Sequence, residues 1–209
     1  MMTGSGPPHA METDRTQQEI AQAAARLIVE DGLDWAGARR RAAQSHPAGR
    51  RLRELPTLER VEDEVRAYLE LFRADTQPAE LHILRTAALR WMTRLAEFRP
   101  YLAGAVWRGT ATRDSIVRLE LYCDDPKAPE IALLNLGVDY EAAGSTDGRG
   151  RDALTLVVTE RNDELRDWVT IHLQVLDTDD LRGALKPDAR GHTWRGDGAA
   201  LRKLLEAGG

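Results

Sequence analysis

Residues 104–121 read GAVWRGTATRDSIVRLEL. The stretch opens on a glycine, passes through small and polar residues, and ends in residues 117–121, where apolar and polar side chains alternate. Alternation with a period of two is typical of a strand with one buried face. A glycine-led turn lets backbone N–H groups approach a phosphate. The sequence therefore predicts an anion-binding turn followed directly by a β-strand.

The chain before this stretch has helical periodicity, because apolar residues recur there at three- and four-residue steps. Four helices are predicted: from Thr16 to Gly32, from a cap at Asp34 to Ala43, from a cap at Thr57 to Phe72, and from a first-turn Pro78 to Phe98. Residues 1–14 lack the pattern and are predicted to be a disordered leader. Residues 15–99 are predicted to be a helical unit.

Strand patterns dominate the chain after residue 100. One further helix is expected before Gly137, then a short strand at 138–141 and a glycine-rich hairpin loop in AAGSTDGRGRD. The segments DALTLVVTE and DWVTIHLQVLD are rich in β-branched residues and should pair antiparallel. Two short helices should close the sequence. The predicted fold class is α+β: a helical unit, then a mixed or antiparallel sheet with flanking helices over residues 100–209.

Composition narrows the classes of function. The 209 residues carry a formal net charge of −5, which argues against a generic nucleic-acid binder, and no window is apolar enough to span a bilayer. The single cysteine, Cys123, cannot form an intramolecular disulfide, so the reducing cytoplasm is the predicted compartment. The five histidines share no metal-ligand spacing, and no metal site is expected.

The opening stretch also resembles a known family. Its residues Gly104, Arg108, Gly109, Ser115 and Leu119 resemble the nucleotidyltransferase superfamily, which has the polymerase-β-like fold. The signature of that family is a Gly-Ser turn, often an Arg-Gly, and then Ser-Asp-x-Asp-Leu. The resemblance covers about residues 100–180 and implies a nucleotidyltransferase-like sheet with a ligand site at the turn.

The resemblance fails at the positions that carry the chemistry. Metal-dependent nucleotidyl transfer needs carboxylates two residues apart on one strand face, where they hold Mg²⁺. Those positions are Ile116 and Arg118 here, and Ala105 stands where the signature has its serine. The resemblance therefore implies a non-catalytic binding or regulatory protein without a metal, more than an enzyme.

A phosphate-bearing ligand, with a nucleotide left open as its identity, is predicted to lie against the turn and the following strand. The predicted ligand-binding residues are Gly104, Arg108, Gly109, Thr110, Ser115, Arg118 and His172. His172 belongs to this set because its strand face should neighbour that of Arg118.

Two other functions stay open. In the first, the protein is an active nucleotidyl or phosphoryl transferase whose acids have moved to Asp114 and Glu120, although Glu120 shares a strand face with Arg118 and an ion pair is the simpler expectation. In the second, the helical unit is a protein–protein interaction module. Its segment IAQAAARLIVEDGLDWAGARRRAA resembles a group of small, uncharacterised proteobacterial proteins. Neither a membrane nor a nucleic acid is an expected partner.

Overall fold

The computed structural model describes residues 8–49, 52–146, 152–182, 184–188 and 190–208. The chain divides into two compact units, unit 1 up to Asp75 and unit 2 from Thr76 onward. None of the helices in the described ranges has the length and apolar character that crossing a membrane requires.

Unit 1 is helical. It contains helices α1 (Pro8–Asp31), α2 (Trp35–Ser45) and α3 (Leu58–Phe72). Both predicted caps are present, because Asp34 Oδ1 accepts the Gly37 amide at 2.9 Å and Thr57 Oγ1 accepts the Arg60 amide at 3.2 Å. The core is built mainly from alanine and β-branched side chains: Ile20, Ala21, Ala24, Ala38, Val61 and Val65.

The predicted leader is partly wrong. Helix α1 begins at Pro8, so residues 8–14 are helical, and residues 1–7 lie outside the described ranges. The contacts of this first part of α1 are polar. Polar contacts produce no apolar periodicity, so the sequence gives no signal for a helix there. Arg60 Nη1 of α3 donates to Asp14 Oδ1 at 2.8 Å, and Thr16 Oγ1 donates to the Glu12 carbonyl at 2.9 Å.

Unit 2 contains a mixed sheet with six strands in its described part, ordered β3-β4-β5-β2-β1-β6. Strands β2 and β5 are parallel, and the other neighbouring pairs are antiparallel. The strands are β1 (Tyr101–Ala103), β2 (Val117–Tyr122), β3 (Glu141–Thr146), β4 (Asp152–Asn162), β5 (Asp167–Leu176) and β6 (Arg195–Gly196). The helices are α4 (Gln77–Arg94), α5 (Gly104–Arg108), α6 (Ala128–Asn135) and α7 (Gly198–Ala207). The predicted α+β class is confirmed.

One face of the sheet packs against the helices. Leu119 of β2 and Leu173 of β5 lie in the same buried cluster as Trp91 of α4, Leu133 of α6 and Leu201 of α7. Because α4 packs with the sheet, the boundary between the units lies between Asp75 and Thr76, whereas the sequence predicted it between residues 99 and 100. The periodicity of α4 predicted a helix correctly, but an apolar stripe does not show which core it joins.

Several element bounds also differ from the prediction. Helix α4 ends at Arg94 and is followed by a 3₁₀ turn, Ala96–Phe98, rather than continuing to Phe98. Residues 142–146, predicted as loop, belong to β3 and pair with β4, because main-chain pairing at a sheet edge does not require apolar side chains; residues 147–151 of that loop lie outside the described ranges. Of the two closing helices, the first is a 3₁₀ turn, Thr178–Leu181, and the second is α7.

Candidate binding face of the sheet

Strand β2 carries two different faces. Val117, Leu119 and Leu121 are fully buried on the helix side. Arg118 is exposed on the opposite side, and Ile116, just before the strand, is 46% exposed. The two positions where the resembled family keeps its carboxylates are therefore open to solvent, and they hold an apolar side chain and a cation.

Arg118 and His172 lie next to each other on this open face. The parallel register pairs Arg118 of β2 with His172 of β5, so their side chains project from the same side of the sheet. Burial lowers the pKa of His172, and the positive charge of Arg118 lowers it further. The Arg118 guanidinium makes no hydrogen bond or ion pair with any residue that the structure describes. The pair therefore offers a free cation beside a neutral imidazole.

A buried polar cluster follows two residues further along the same face. Tyr122 Oη donates to Glu120 Oε2 at 2.8 Å, and Arg195 Nη1 of β6 donates to the same carboxylate oxygen at 2.5 Å and to Tyr122 Oη at 2.8 Å. Glu120 is 4% and Tyr122 2% exposed. Burial, and then the charge of Glu120, raise the pKa of Tyr122 far above its usual value, so the phenol stays protonated and remains a donor.

This cluster bears on the relocated-acid hypothesis. The Glu120 carboxylate is held inside the fold by Arg195 and Tyr122, whereas Asp114 is exposed in the turn before β2. Within the described ranges, no group of three or more histidine, cysteine or acidic side chains is arranged to hold a metal ion. The two candidate acids therefore occupy different environments, and Glu120 already has a cation beside it.

The glycine-led turn is shaped by the ends of a very short helix. Gly104, with φ of 73°, is the first residue of α5, and Gly109, with φ of 81°, is its C-cap. Both residues lie in the left-handed region that favours glycine. Gln77 of α4 fixes the segment after it, since its Nε2 donates to the carbonyls of Gly109 at 3.2 Å and Ala111 at 2.9 Å. The positions of the two glycines are thus explained by the left-handed backbone at the two ends of α5.

Arg108 is enclosed rather than presented to solvent. Its side chain is 9% exposed, and its guanidinium lies 4.4 Å from the centre of the Trp194 ring. It also donates to Asp188 Oδ2 and to the Thr193 carbonyl, each at 3.4 Å. The fold itself therefore uses the charge of Arg108, and a ligand would have to compete with these contacts.

Two other residues of the predicted set lie within the loop after α5. Ser115 Oγ accepts the Thr112 amide at 2.9 Å, which closes a local turn. Thr110 is buried, and its Oγ1 has no hydrogen-bond partner in the described part of the chain. The structure therefore brings Arg118 and His172 together on an open face, while Arg108, Thr110 and Ser115 are largely covered by the fold.

Sequence reasoning missed Arg195 and Tyr122. Arg195 lies 75 positions from Glu120 in the chain and belongs to a strand of only two residues, Arg195–Gly196. A strand this short has no periodicity to detect. Tyr122 had a weak signal, because it shares the alternation that placed Arg118 and Glu120 on one face.

The chain matches no protein-family model and no curated protein, and its fold matches no solved structure.

Proposed function

We propose that unit 2 is a nucleotidyltransferase-like domain that binds a phosphate-bearing ligand without a catalytic metal, and that the protein is a binding or regulatory protein. The observation that carries this proposal is Arg118. It is an exposed cation, without a hydrogen-bond or ion-pair partner among the described residues, at the position where such an enzyme holds a metal ligand. A guanidinium matches the oxygens of a phosphate through two parallel hydrogen bonds.

The chemistry of the neighbouring positions supports the loss of metal. Mg²⁺ requires oxygen ligands in near-octahedral geometry, and Ile116 offers none. Arg118 would repel Mg²⁺, which the carboxylate at this position binds in the resembled family. The elements after the glycine-led turn follow in the order β2, α6, β3 and further strands, which is the order expected from the family that residues 104–121 resemble, and this supports the proposal.

His172 would strengthen the site as a second donor. Because its pKa is lowered, the imidazole is neutral near pH 7 and donates one hydrogen bond to an anion. A bound phosphate would favour the imidazolium form. Affinity for the ligand should therefore rise as the pH falls, with the change absent in His172→Gln.

Calorimetric titration with ATP, GTP and CTP, each with Mg²⁺ and with EDTA, tests the proposal. Binding of one nucleotide should be unaffected by EDTA and should weaken about tenfold or more in Arg118→Gln. Arg40→Gln, an exposed arginine of unit 1, is the matched control and should bind normally. Binding that requires Mg²⁺ and survives in Arg118→Gln would contradict the proposal, as would no binding of any nucleotide.

Restoring the carboxylates provides a second test. Ile116→Asp with Arg118→Asp puts two acids on an exposed face, so the fold should persist and weak Mg²⁺ affinity should appear. Leu119→Asp buries an unpaired carboxylate and should unfold unit 2, because that costs several kcal/mol against a total of about 5–15 kcal/mol. Thermal melts that show the opposite order would mean that the strand faces are assigned backwards.

We propose unit 1 as the surface for a protein partner. Leu71 and Phe72 at the end of α3 are exposed, and large apolar side chains exposed side by side are typical of contact surfaces. Leu71→Ser with Phe72→Ser should abolish co-purification of a partner while leaving the helical circular dichroism unchanged. Unaltered co-purification would place the contact elsewhere.

A further inference from the structure

A cavity of about 350 Å³ lies in unit 2, and neither Arg118 nor His172 is among the residues that line it. It is bounded by the end of α4, the start of β1 and the first turn of α7. Its apolar lining comes from Leu89, Met92, Ala96 and Pro100. Ligand sites in proteins span about 300–1,000 Å³, so the cavity has room for a small molecule.

Two arginines, Arg99 and Arg202, line the same cavity. Both are exposed, and neither side chain makes a hydrogen bond or ion pair with a residue in the described ranges. Arg94, on the last turn of α4, differs from them because its guanidinium stacks on the Trp91 ring at 4.5 Å. The two positive charges beside the apolar lining therefore have no ion-pair partner among the described residues.

An acid also lines the cavity, but it does not neutralise these arginines. Asp197 lines the cavity, but its Oδ1 accepts the Ala200 amide at 2.8 Å and caps α7. No ion pair links Asp197 with Arg99 or Arg202 in the described part of the protein. The cavity thus combines an apolar lining with unneutralised positive charge, which is complementary to an anionic head group on an apolar tail.

We propose that this cavity binds a small amphipathic anion, whose carboxylate or phosphate head lies between Arg99 and Arg202 and whose short apolar tail covers Met92 and Pro100. The guanidinium groups recognise either head group through charge-assisted hydrogen bonds. The apolar lining adds the affinity that a bare inorganic anion lacks. This site is independent of the binding face at Arg118.

The test is a titration of the full chain followed by the amide NMR signals of Arg99, Gly198 and Ala199. The probes are octanoate, octyl phosphate, neutral octanol with the same tail, and inorganic phosphate. Octanoate or octyl phosphate should bind with a dissociation constant below about 1 mM and shift these signals. Octanol and inorganic phosphate should bind at least about tenfold more weakly. Comparing octanoate with octyl phosphate identifies the preferred head group.

Arginine variants separate charge recognition from simple apolar binding. Arg99→Gln and Arg202→Gln should each weaken binding about tenfold. Arg166→Gln is the matched control, because Arg166 is also exposed and has a positive φ of 54°, close to the 46° of Arg99. Should Arg99→Gln fail to fold, Arg202→Gln on the exposed side of α7 carries the test. The proposal is overturned if octanol binds as well as the anions, if neither anion binds, or if the Arg202 variant behaves like the control.

Discussion

Replacing Arg195 by methionine should be strongly destabilising, although the residue lies near the edge of the sheet. Its Nη1 donates to Glu120 Oε2 at 2.5 Å, and Glu120 is only 4% exposed. Methionine keeps most of the side-chain volume but leaves the carboxylate buried without its cation. Removing one partner of a buried ion pair costs about 3–5 kcal/mol. For a unit of this size, we expect the melting temperature to fall by about 10–20 °C.

Replacing Glu120 by glutamine should restore part of the stability that Arg195→Met loses. In Glu120→Gln with Arg195→Met no charge is buried, and the glutamine oxygen still accepts from Tyr122. The double variant should therefore be at least about 2 kcal/mol more stable than Arg195→Met alone. Glu120→Gln alone should cost about 1–2 kcal/mol, because Arg195 remains partly solvated.

Urea unfolding followed by tryptophan fluorescence measures these differences in unit 2. Four of the five tryptophans lie after residue 76, and Trp35 is the exception, so the signal reports mainly on unit 2. If Arg195→Met costs less than about 1 kcal/mol, the carboxylate is not dependent on this partner. If the double variant costs the sum of the two single variants, Glu120 and Arg195 are not energetically coupled, which would contradict a stabilising ion pair between them.

Three further predictions concern the same sheet. The pKa of His172 is lowered in the folded protein, so the unfolded chain binds the proton more readily. The His172 contribution to the free energy of unfolding should be fully present above about pH 6.5 and should decline as the pH falls below that value. His172→Gln should remove this pH dependence from the midpoint of urea unfolding. Arg118→Gln should raise the pKa of His172 in an NMR titration, and an unchanged value would separate the two side chains. Gly196→Ala should lower the free energy of unfolding by about 1–3 kcal/mol in thermal melts, because the added Cβ would lie 1.9 Å from the Trp107 ring. Gly144→Ala is the neutral control, because a Cβ there would have no atom within 4 Å. Equal stability of the two variants would contradict the packing of Trp107 against Gly196.

The elements that sequence reasoning found were those with a strong local signal. Helix α3 has a capping threonine and a continuous apolar stripe, and the apolar residues of β2 alternate, so the buried face of Val117, Leu119 and Leu121 was predicted correctly. On the other face of β2 only Arg118 is exposed, whereas Glu120 and Tyr122 are buried by contacts that alternation does not encode. Elements of two to five residues, β1, α5 and β6, have no measurable period. The membership of α4 in the sheet unit depends on long-range packing, which a stripe does not encode.

The candidate site follows the same division. The neighbouring positions of Arg118 and His172 could be predicted, because alternation in two adjacent strands fixes which side chains share a face. The enclosure of Arg108 could not, since Asp188 and Trp194 are about 80 positions away. Contacts between distant segments decide whether an arginine is available to a ligand, and their sequence signal is weak.

The placement of β6 has a consequence for how the protein is made on the ribosome. Leu102 of β1 pairs with Gly196, and Leu201 of α7 belongs to the same buried cluster as Leu119. Unit 2 therefore cannot complete its core until almost all of its residues have been translated, whereas the buried cluster of unit 1 is made of residues that are translated first. During this interval β1 has an unpaired edge and the nascent sheet exposes apolar side chains. A ribosome that pauses between β5 and β6 would thus hold a chain with one finished unit and one that is open to aggregation.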